Sequence, residues 1–476
     1  MPGRSNPKEY DRAGRSLARA PRYFVLGDED RELAIHERLY RRMRHLIVTG
    51  VLEDGARVAA SRDLASSLGV SRNSVLAAFD RLIADGFLES RRNSGVFVSY
   101  AGSRPKVAPI AAPAATQDVV PFDLGWATDI FPLATWKKLQ ARSWRNMPDS
   151  LLTQGERLGL VALRKTIAAY LAATRRLECS AEQVVVTTSI PAGIELAVRA
   201  LGLSGAECWV EDPCCQAPLT ALQQSGVTAI PVRVDAQGID VEAGIRNSPT
   251  ARAALVSATC QAPTGVTMSN ARQKALCKWA QGSGAWIFED DFNWNGDGVT
   301  RTAKPFAALC PQRTLYLNSF NNILFAGLRI AYIVVPVELV DRFAAVRGTE
   351  GDVNTPNQLV LTDFIESGHL DDHARKLDAA NAERRAALLD AVRRQLHDHL
   401  HPLDNGGGYF IARARRMDES EILRRAADAG IAMTGLSSYM AQPDARNDVM
   451  LGFSQFTPAR IASAAQKLRL ALDLKR

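Results

Sequence analysis

Nowhere in the chain does an apolar run approach the ~18 residues needed to cross a bilayer, so a membrane span is not expected. The opening stretch, MPGRSNPKEYDRAGRSLARAPRY, has scattered arginines and no apolar core, which excludes a secretory leader and places the protein in the cytoplasm as an expectation. Cysteine is scarce. The seven thiols, at Cys179, Cys208, Cys214, Cys215, Cys260, Cys277 and Cys310, are odd in number and form no CxxC pair. A disulfide framework and a zinc ribbon are therefore not indicated, and small buried hydrophobes are the reading left. Internal repeats are also absent.

What is present is a soluble globular composition, 46% hydrophobic and 23% charged, on 476 residues, a length that suggests two or three domains. The net charge of +7 is unevenly placed. Residues 1–106 hold 19 Lys/Arg against 13 Asp/Glu, whereas the remaining 370 hold 39 against 38. A basic front end on a nearly neutral body points to a polyanionic partner.

Residues 33–100 give that partner a structural basis. In LAIHERLYRRMRHLIVTG the apolar residues Leu39, Met43, Leu46 and Ile47 recur at helical spacing, and Gly50 suits the end. SRDLASSLG begins at Ser61 as a helix cap and stops at Gly69; Ser71 then caps SRNSVLAAFDRLIADG, with Val75, Phe79, Leu82 and Ile83 on one stripe. Two short helices joined by a glycine turn make a helix-turn-helix. FLESRRNSGVFVS reads as a hairpin around Arg91-Arg92-Asn93-Ser94-Gly95, the wing. Arg72 and Asn73 open the second helix, whose start enters the major groove in such motifs, so they are candidates for base edges. Ser71, Ser74, Arg62, Arg91, Arg92, Ser94 and Gly95 are candidates for positioning on the phosphate backbone. This stretch resembles the winged-helix domain of the GntR family of bacterial regulators, which implies double-stranded operator DNA as partner.

Residues 1–32 read as a basic arm and AGSRPKVAPIAAPAATQDVV (101–120) as an Ala/Pro-rich linker. From 121 to 476 helical stretches alternate with short apolar strands at 184–188, 208–212, 253–258, 285–290, 315–320 and 330–335. Such alternation predicts a parallel sheet covered on both faces, with any site at the strands' carboxyl ends.

The segments ATDIFPLATWKKL, PTGVTMS, EDD, AGLRIAYIVVP and LGFSQFTPARI, in this order, resemble the fold-type I aminotransferases. With the winged helix in front, the chain from residue 33 onward is similar to the MocR/GabR subfamily of regulators. The resemblance implies an α/β chain: an N-terminal winged helix-turn-helix, then a large domain like the pyridoxal-phosphate-dependent transferases, with a small C-terminal α+β subdomain over about 350–476.

In that family a lysine carries the cofactor, a carboxylate holds the pyridine nitrogen protonated, an aromatic ring stacks on its face, and hydroxyls with an arginine cradle the phosphate. By the resemblance Asp290 fits the carboxylate, Ser319 one hydroxyl of the cradle, and Arg329 the arginine. The lysine falls on Asn322, whose amide nitrogen is delocalised and forms no imine. Phe292 stands in place of a ring-hydroxyl tyrosine, Cys215 in place of the stacking tyrosine, and Cys260 in place of a histidine. Ser189-Ile190-Pro191-Ala192 offer a poorer cradle, because proline lacks an amide donor.

The expectation is a DNA-binding regulator, not an enzyme, whose aminotransferase-like domain serves dimerisation and non-covalent sensing of a small-molecule effector. Two alternatives stay open: a regulator that still holds pyridoxal phosphate non-covalently through Asp290, Ser319, Asn322 and Arg329, and a working aminotransferase, which the missing lysine argues against. Cys214, Cys215 and Cys260, which the resemblance gathers around one cleft, are either buried structural thiols or a sensor of an oxidant, electrophile or soft metal. No catalytic residue and no resident metal is expected.

Overall fold

A computed structural model describes residues 33–92, 94–100, 120–152, 156–291, 304–348, 353–403, 409–441 and 447–473. The basic arm over 1–32, nearly all of the 101–120 linker, Asn93 and Phe292 lie outside the described residues. The chain divides into two compact units, Met1–Thr116 and Gln117–Arg476.

The first unit holds helices α1 (Ile35–Val48), α2 (Ser61–Leu68) and α3 (Arg72–Ala84), then strands β1 (Leu88–Arg91) and β2 (Gly95–Val98), paired antiparallel. Leu39, Met43, Leu46 and Ile47 of α1 meet Val75, Phe79 and Leu82 of α3, closed underneath by Leu88 and Val98. Ile83 is only half-buried at the edge of this core. Gly69 ends α2 in the left-handed region at φ 65°. Ser71 caps α3, its Oγ accepting from the Ser74 amide at 3.1 Å. At Ser61 the expectation fails: Ala60 holds the cap position of α2 and no side chain caps that end. The Ser61 hydroxyl instead accepts from Arg72 Nε at 3.4 Å, so it ties the first turns of α2 and α3 together. An isolated antiparallel bridge between Arg57 and Phe97 joins the segment before α2 to the wing.

The second unit is built on eight strands: β3 (Val184–Thr187), β4 (Glu207–Asp212), β5 (Thr228–Asp235), β6 (Gly238–Ile239), β7 (Ala253–Val256), β8 (Trp286–Asp290), β9 (Thr314–Ser319) and β10 (Ala331–Val334). They lie in the order β3-β10-β9-β8-β7-β4-β5-β6. The sheet is mixed, not parallel throughout, because β10 runs antiparallel to both β3 and β9. The link from Ser319 to Ala331 contains only a 3-10 turn, too short for the crossover that a parallel return requires. Sequence reading passes over β5, whose Pro231 and half-exposed residues mark it as a strand near the sheet's margin.

Helices α4 (Leu133–Arg145), α5 (Val161–Arg175), α6 (Ile190–Leu201), α7 (Gln216–Gln224), α8 (Val241–Asn247), α9 (Asn270–Ser283), α10 (Val340–Arg347) and α11 (Thr355–Glu366) cover the sheet. Alternation along the strands sends Val184, Val186, Tyr316 and Tyr332 toward α4, α5 and α11, and Val185, Leu317 and Ile333 toward α6, α7 and α10. Helices α8 and α9 cover the far end of the sheet, on Trp209, Ala254 and Ile287.

The long α12 (His369–Gln395) then leads to an antiparallel sheet of β11 (Leu400–Pro402), β12 (Phe410–Ala414), β13 (Thr434–Gly435) and β14 (Asp448–Leu451), packed by α13 (Glu419–Asp428) and α14 (Pro458–Asp473). Two segments stand apart from the expected span of about 350–476. Val360, Leu361 and Phe364 of α11 pack on the large sheet, whereas Phe122 from the start of the unit is buried among Phe410, Leu451 and Phe453. Gly452 permits that return: its amide donates to the Phe122 carbonyl at 2.8 Å, and a Cβ there would lie 1.9 Å from the Asp123 oxygen.

Candidate nucleic-acid interface and ligand cleft

In the first unit the burial of Val75, Ala78, Phe79 and Leu82 fixes which side of α3 faces out. Arg72 and Asn73 are exposed at its start, as is Arg62 in the first turn of α2. The Ser71 and Ser74 hydroxyls pair with each other at 2.8 Å, so these serines build the helix start. Arg81, further along α3, turns away toward α1, where it pairs with Glu37 and lies 4.0 Å over the Tyr40 ring.

On the wing, Arg91 pairs with Glu89 and covers Phe97 at 4.5 Å, while Arg92 and Ser94 are exposed at the tip. Gly95, at φ 108°, sits beside Arg57, whose Nε would be 3.2 Å from a Cβ at that position. Arg57 is a further exposed cation on the wing that sequence reading misses. The only signal for it is a β-prone residue between the first two helices, too short to register as a strand.

In the second unit the carboxyl ends of β3, β9, β8, β7 and β4 and the start of β10 share one edge of the sheet, since Ala331 stands opposite both Thr187 and Ser319. The edge therefore gathers Ser189, Glu211, Cys214, Cys215, Cys260, Asp290, Ser319, Asn322 and Arg329.

Three consecutive carboxylates at the end of β8 have different environments. Glu289 accepts from the Phe306 and Ala307 amides, the latter at 2.8 Å. Asp291 is wholly buried and accepts from Arg175 at 2.7 Å, from the Tyr316 hydroxyl at 2.6 Å, and from Thr259. Both are committed. Asp290 lies between them in sequence, is buried, and its Oδ1 has no hydrogen-bond partner. Burial, and then the Asp291 charge, push its carboxyl up to about 7. Across the edge Glu211 repeats the condition. Its Oε2 accepts from the Ser257 amide at 3.2 Å and from Gln261 at 3.3 Å, its Oε1 has no partner, and burial pushes it up to about 8. Glu211 is another residue that sequence reading misses, because a carboxylate at a strand end carries no spacing signal.

At the β3, β9 and β10 end of this edge several polar side chains bond to the protein itself. Ser319 Oγ accepts from the Asn321 amide at 3.1 Å. The Asn321 carboxamide donates to the Thr188 carbonyl at 3.3 Å and accepts from the Ile330 amide at 3.0 Å, bracing β3, β9 and β10. Ser189 is consumed as the cap of α6, accepting from Ala192 at 3.2 Å, and Pro191 removes a donor from the first turn. Among the described residues the Asn322 carboxamide has no hydrogen-bond partner. Arg329 is exposed and held at φ 56°, ψ 46°, a left-handed conformation costing about 1–2 kcal/mol in a non-glycine residue. Strain of this kind clusters at ligand sites.

These residues fit the pyridine end of pyridoxal phosphate, through Asp290, and leave an exposed arginine for a phosphate. The residues named at this edge include no amine for its aldehyde end, and Ser189 and Ser319 already accept hydrogen bonds from the protein itself.

Burial pushes the Cys215 thiol up to about 12, the nearby Asp290 and Glu211 adding to it, and Cys214 is raised for the same reason. Cys260 is buried. Thiols raised in this way are held protonated and unreactive. Among the described residues no group of three or more His, Cys, Asp or Glu is placed to hold a metal ion. No described helix is long and apolar enough to cross a membrane.

A family model described as bacterial regulatory proteins, gntR family, matches residues 35–98, and one described as aminotransferase class I and II matches residues 123–468. Over 93% of its length the chain is 31% identical to the probable rhizopine catabolism regulatory protein MocR of Rhizobium meliloti, of which it covers 95%. It is 28% identical over 88% of its length to the HTH-type pyridoxine biosynthesis transcriptional regulator PdxR of Corynebacterium glutamicum, covering 92% of that protein. Among solved structures, an archaeal alanine:glyoxylate aminotransferase shares the fold, with a TM-score of 0.66 at 21% identity over 74% of this chain and 90% of that one.

Proposed function

The chain belongs to the gntR-type regulators that carry an aminotransferase class I and II domain, and on that premise we propose a DNA-binding transcription regulator whose large unit senses a small molecule without covalent chemistry. In this reading Arg72 and Asn73 meet base edges in the major groove, while Arg62, Arg92 and the wing residues Ser94 and Gly95 set the register on the phosphates. Two copies of the chain act together, and an effector that binds one arrangement of the dimer better than another shifts its DNA affinity by that difference.

The observation that carries the loss of transaminase chemistry is Asn322. By resemblance it occupies the position of the cofactor-bearing lysine, and a carboxamide neither forms an imine nor relays the proton that transamination needs. The rearranged surroundings support it, since Asn321 and Ser189 spend their polar groups on the protein itself.

A second reading is favoured by Asp290. Its open oxygen suits a protonated ring nitrogen, so pyridoxal phosphate held without a covalent bond, with Arg329 on the phosphate, is the alternative effector.

Two measurements test these readings. Full-length protein is mixed with a pool of random duplexes, and retention of a defined sequence that weakens with salt is expected. The protein is then treated with pyridoxal phosphate and borohydride and analysed by intact mass. No adduct is expected, and a reduced adduct on a residue of the cleft would refute the non-covalent reading.

A further inference from the structure

The exposed face of α3 contains two apolar residues among polar ones. Leu76 is 36% exposed, one turn after Arg72 and one turn before Asp80, and the neighbouring Ala77 is exposed as well. The opposite stripe, Val75, Ala78, Phe79 and Leu82, already fills the core of the unit, so Leu76 is not needed there. Arg81 is drawn off toward Glu37 and Tyr40. What remains facing out on α3 ahead of its last turn is Arg72, Asn73, Leu76, Ala77 and Asp80.

Leu76 is the fifth residue of α3, about 6 Å along the axis from Arg72 at ~1.5 Å per residue. That distance is roughly two base steps at ~3.4 Å each, so a helix entering by its first turns brings both residues over base edges. A leucine side chain offers no hydrogen bond. The one apolar group that base edges present in the major groove is the thymine C5-methyl.

We propose that Leu76, supported by Ala77, selects a thymine in each half-site by packing against its C5-methyl group. The inference rests on the reading of this chain as a DNA-binding regulator. The occupant is double-stranded DNA because Leu76 shares the exposed face of α3 with Arg72, which reaches Ser61 beside the exposed Arg62, within a front end of net positive charge. A protein partner or a second copy of the chain would lose this complementarity.

The test uses the full chain. A duplex is selected from a random pool, and each thymine is then replaced singly by uracil, which removes the methyl group and leaves base pairing intact. Burying one methyl-sized group stabilises by ~0.8 kcal/mol, so the wild type should bind the uracil duplex about fourfold more weakly at one position per half-site. Leu76→Ala should bring the thymine-to-uracil ratio at that position close to one while retaining salt-dependent DNA binding. Leu76→Val should keep most of the preference. Exposure of the side chain makes loss of folding an unsuitable explanation for any of these results. If no thymine position responds in the wild type, or if Leu76→Ala keeps the same ratio, the inference is overturned and the regulator reading stands. It is overturned too if Leu76→Ala changes only the sedimentation of the free protein, because Leu76 then packs against another copy of the chain. A chain that retains no duplex overturns the inference and the regulator reading together.

Discussion

Replacing Asp290 with asparagine should stabilise the large unit, and by more at higher pH. Burial and the adjacent Asp291 charge raise the folded carboxyl from 3.8 to about 7. An acid raised in this way holds its proton more tightly folded than unfolded. Stability is therefore lost as pH climbs from the unfolded value through the folded one, and the loss is complete above it. Asparagine has nearly the shape of the protonated acid and does not titrate. With folded and unfolded values of about 7 and 3.8, the variant's advantage is about 2 kcal/mol near pH 5 and about 4 kcal/mol near pH 8. Glu211, Cys214, Cys215 and Tyr409 are each raised in part by the Asp290 charge, so removing it relaxes them as well and works in the same direction. Urea unfolding followed by tryptophan fluorescence, repeated across that pH range, gives the difference directly. An advantage that does not change with pH, or a variant less stable than its parent near pH 8, would mean that Asp290 is ionised and paired with a cation. The picture of an open carboxyl awaiting a ligand would then fall.

Three further outcomes follow from the same geometry. Arg72→Ala should cost about 1–3 kcal/mol on a selected duplex and relax its sequence preference, whereas Arg92→Ala should weaken all duplexes alike and reduce the salt slope by about one; fluorescence anisotropy at several salt concentrations separates the two. Asp291→Asn leaves the buried Arg175 guanidinium without its counter-charge and should lower unfolding free energy by about 3–5 kcal/mol, read from urea midpoints, while a neutral result would place the ion pair's contribution elsewhere. Asn322→Lys should gain a borohydride-reducible adduct with pyridoxal phosphate that the parent lacks; its failure to do so would show that the ring end of the cleft no longer accepts the cofactor.

Much of this architecture was legible because burial writes a period into sequence. The stripe Leu39, Met43, Leu46, Ile47 and the apolar runs at β3, β4, β7, β8 and β9 have regular spacing, and the structure forms elements there within a residue or two. Glycine and serine punctuation located α2 and α3, although Ser61 shows the limit, since a cap depends on where the hydroxyl finds its best donor in three dimensions. The reversal of β10 follows from a short connection, and the length of a connection was visible, but the direction it imposes was not read from it. Glu211, Asn321 and Arg57 were invisible for a different reason. Each meets a partner distant in sequence, Ser257, Thr188 and Phe97 respectively, and no local pattern encodes such a meeting.

The edge of the sheet braces itself with its own side chains. In a buried edge every polar group needs a partner. Asn321 supplies these internally: its carboxamide closes the Thr188 carbonyl and the Ile330 amide at once, and Ser189 closes the start of α6. The strand ends are therefore braced whether or not anything is bound. Among the described buried residues of this edge, Asp290 and Glu211 keep open oxygens, and both are carboxyl groups. Burial favours the protonated form of both, in which each carboxyl can donate as well as accept. What this edge leaves unpaired is thus two buried carboxyl oxygens that the protein's own donors do not reach.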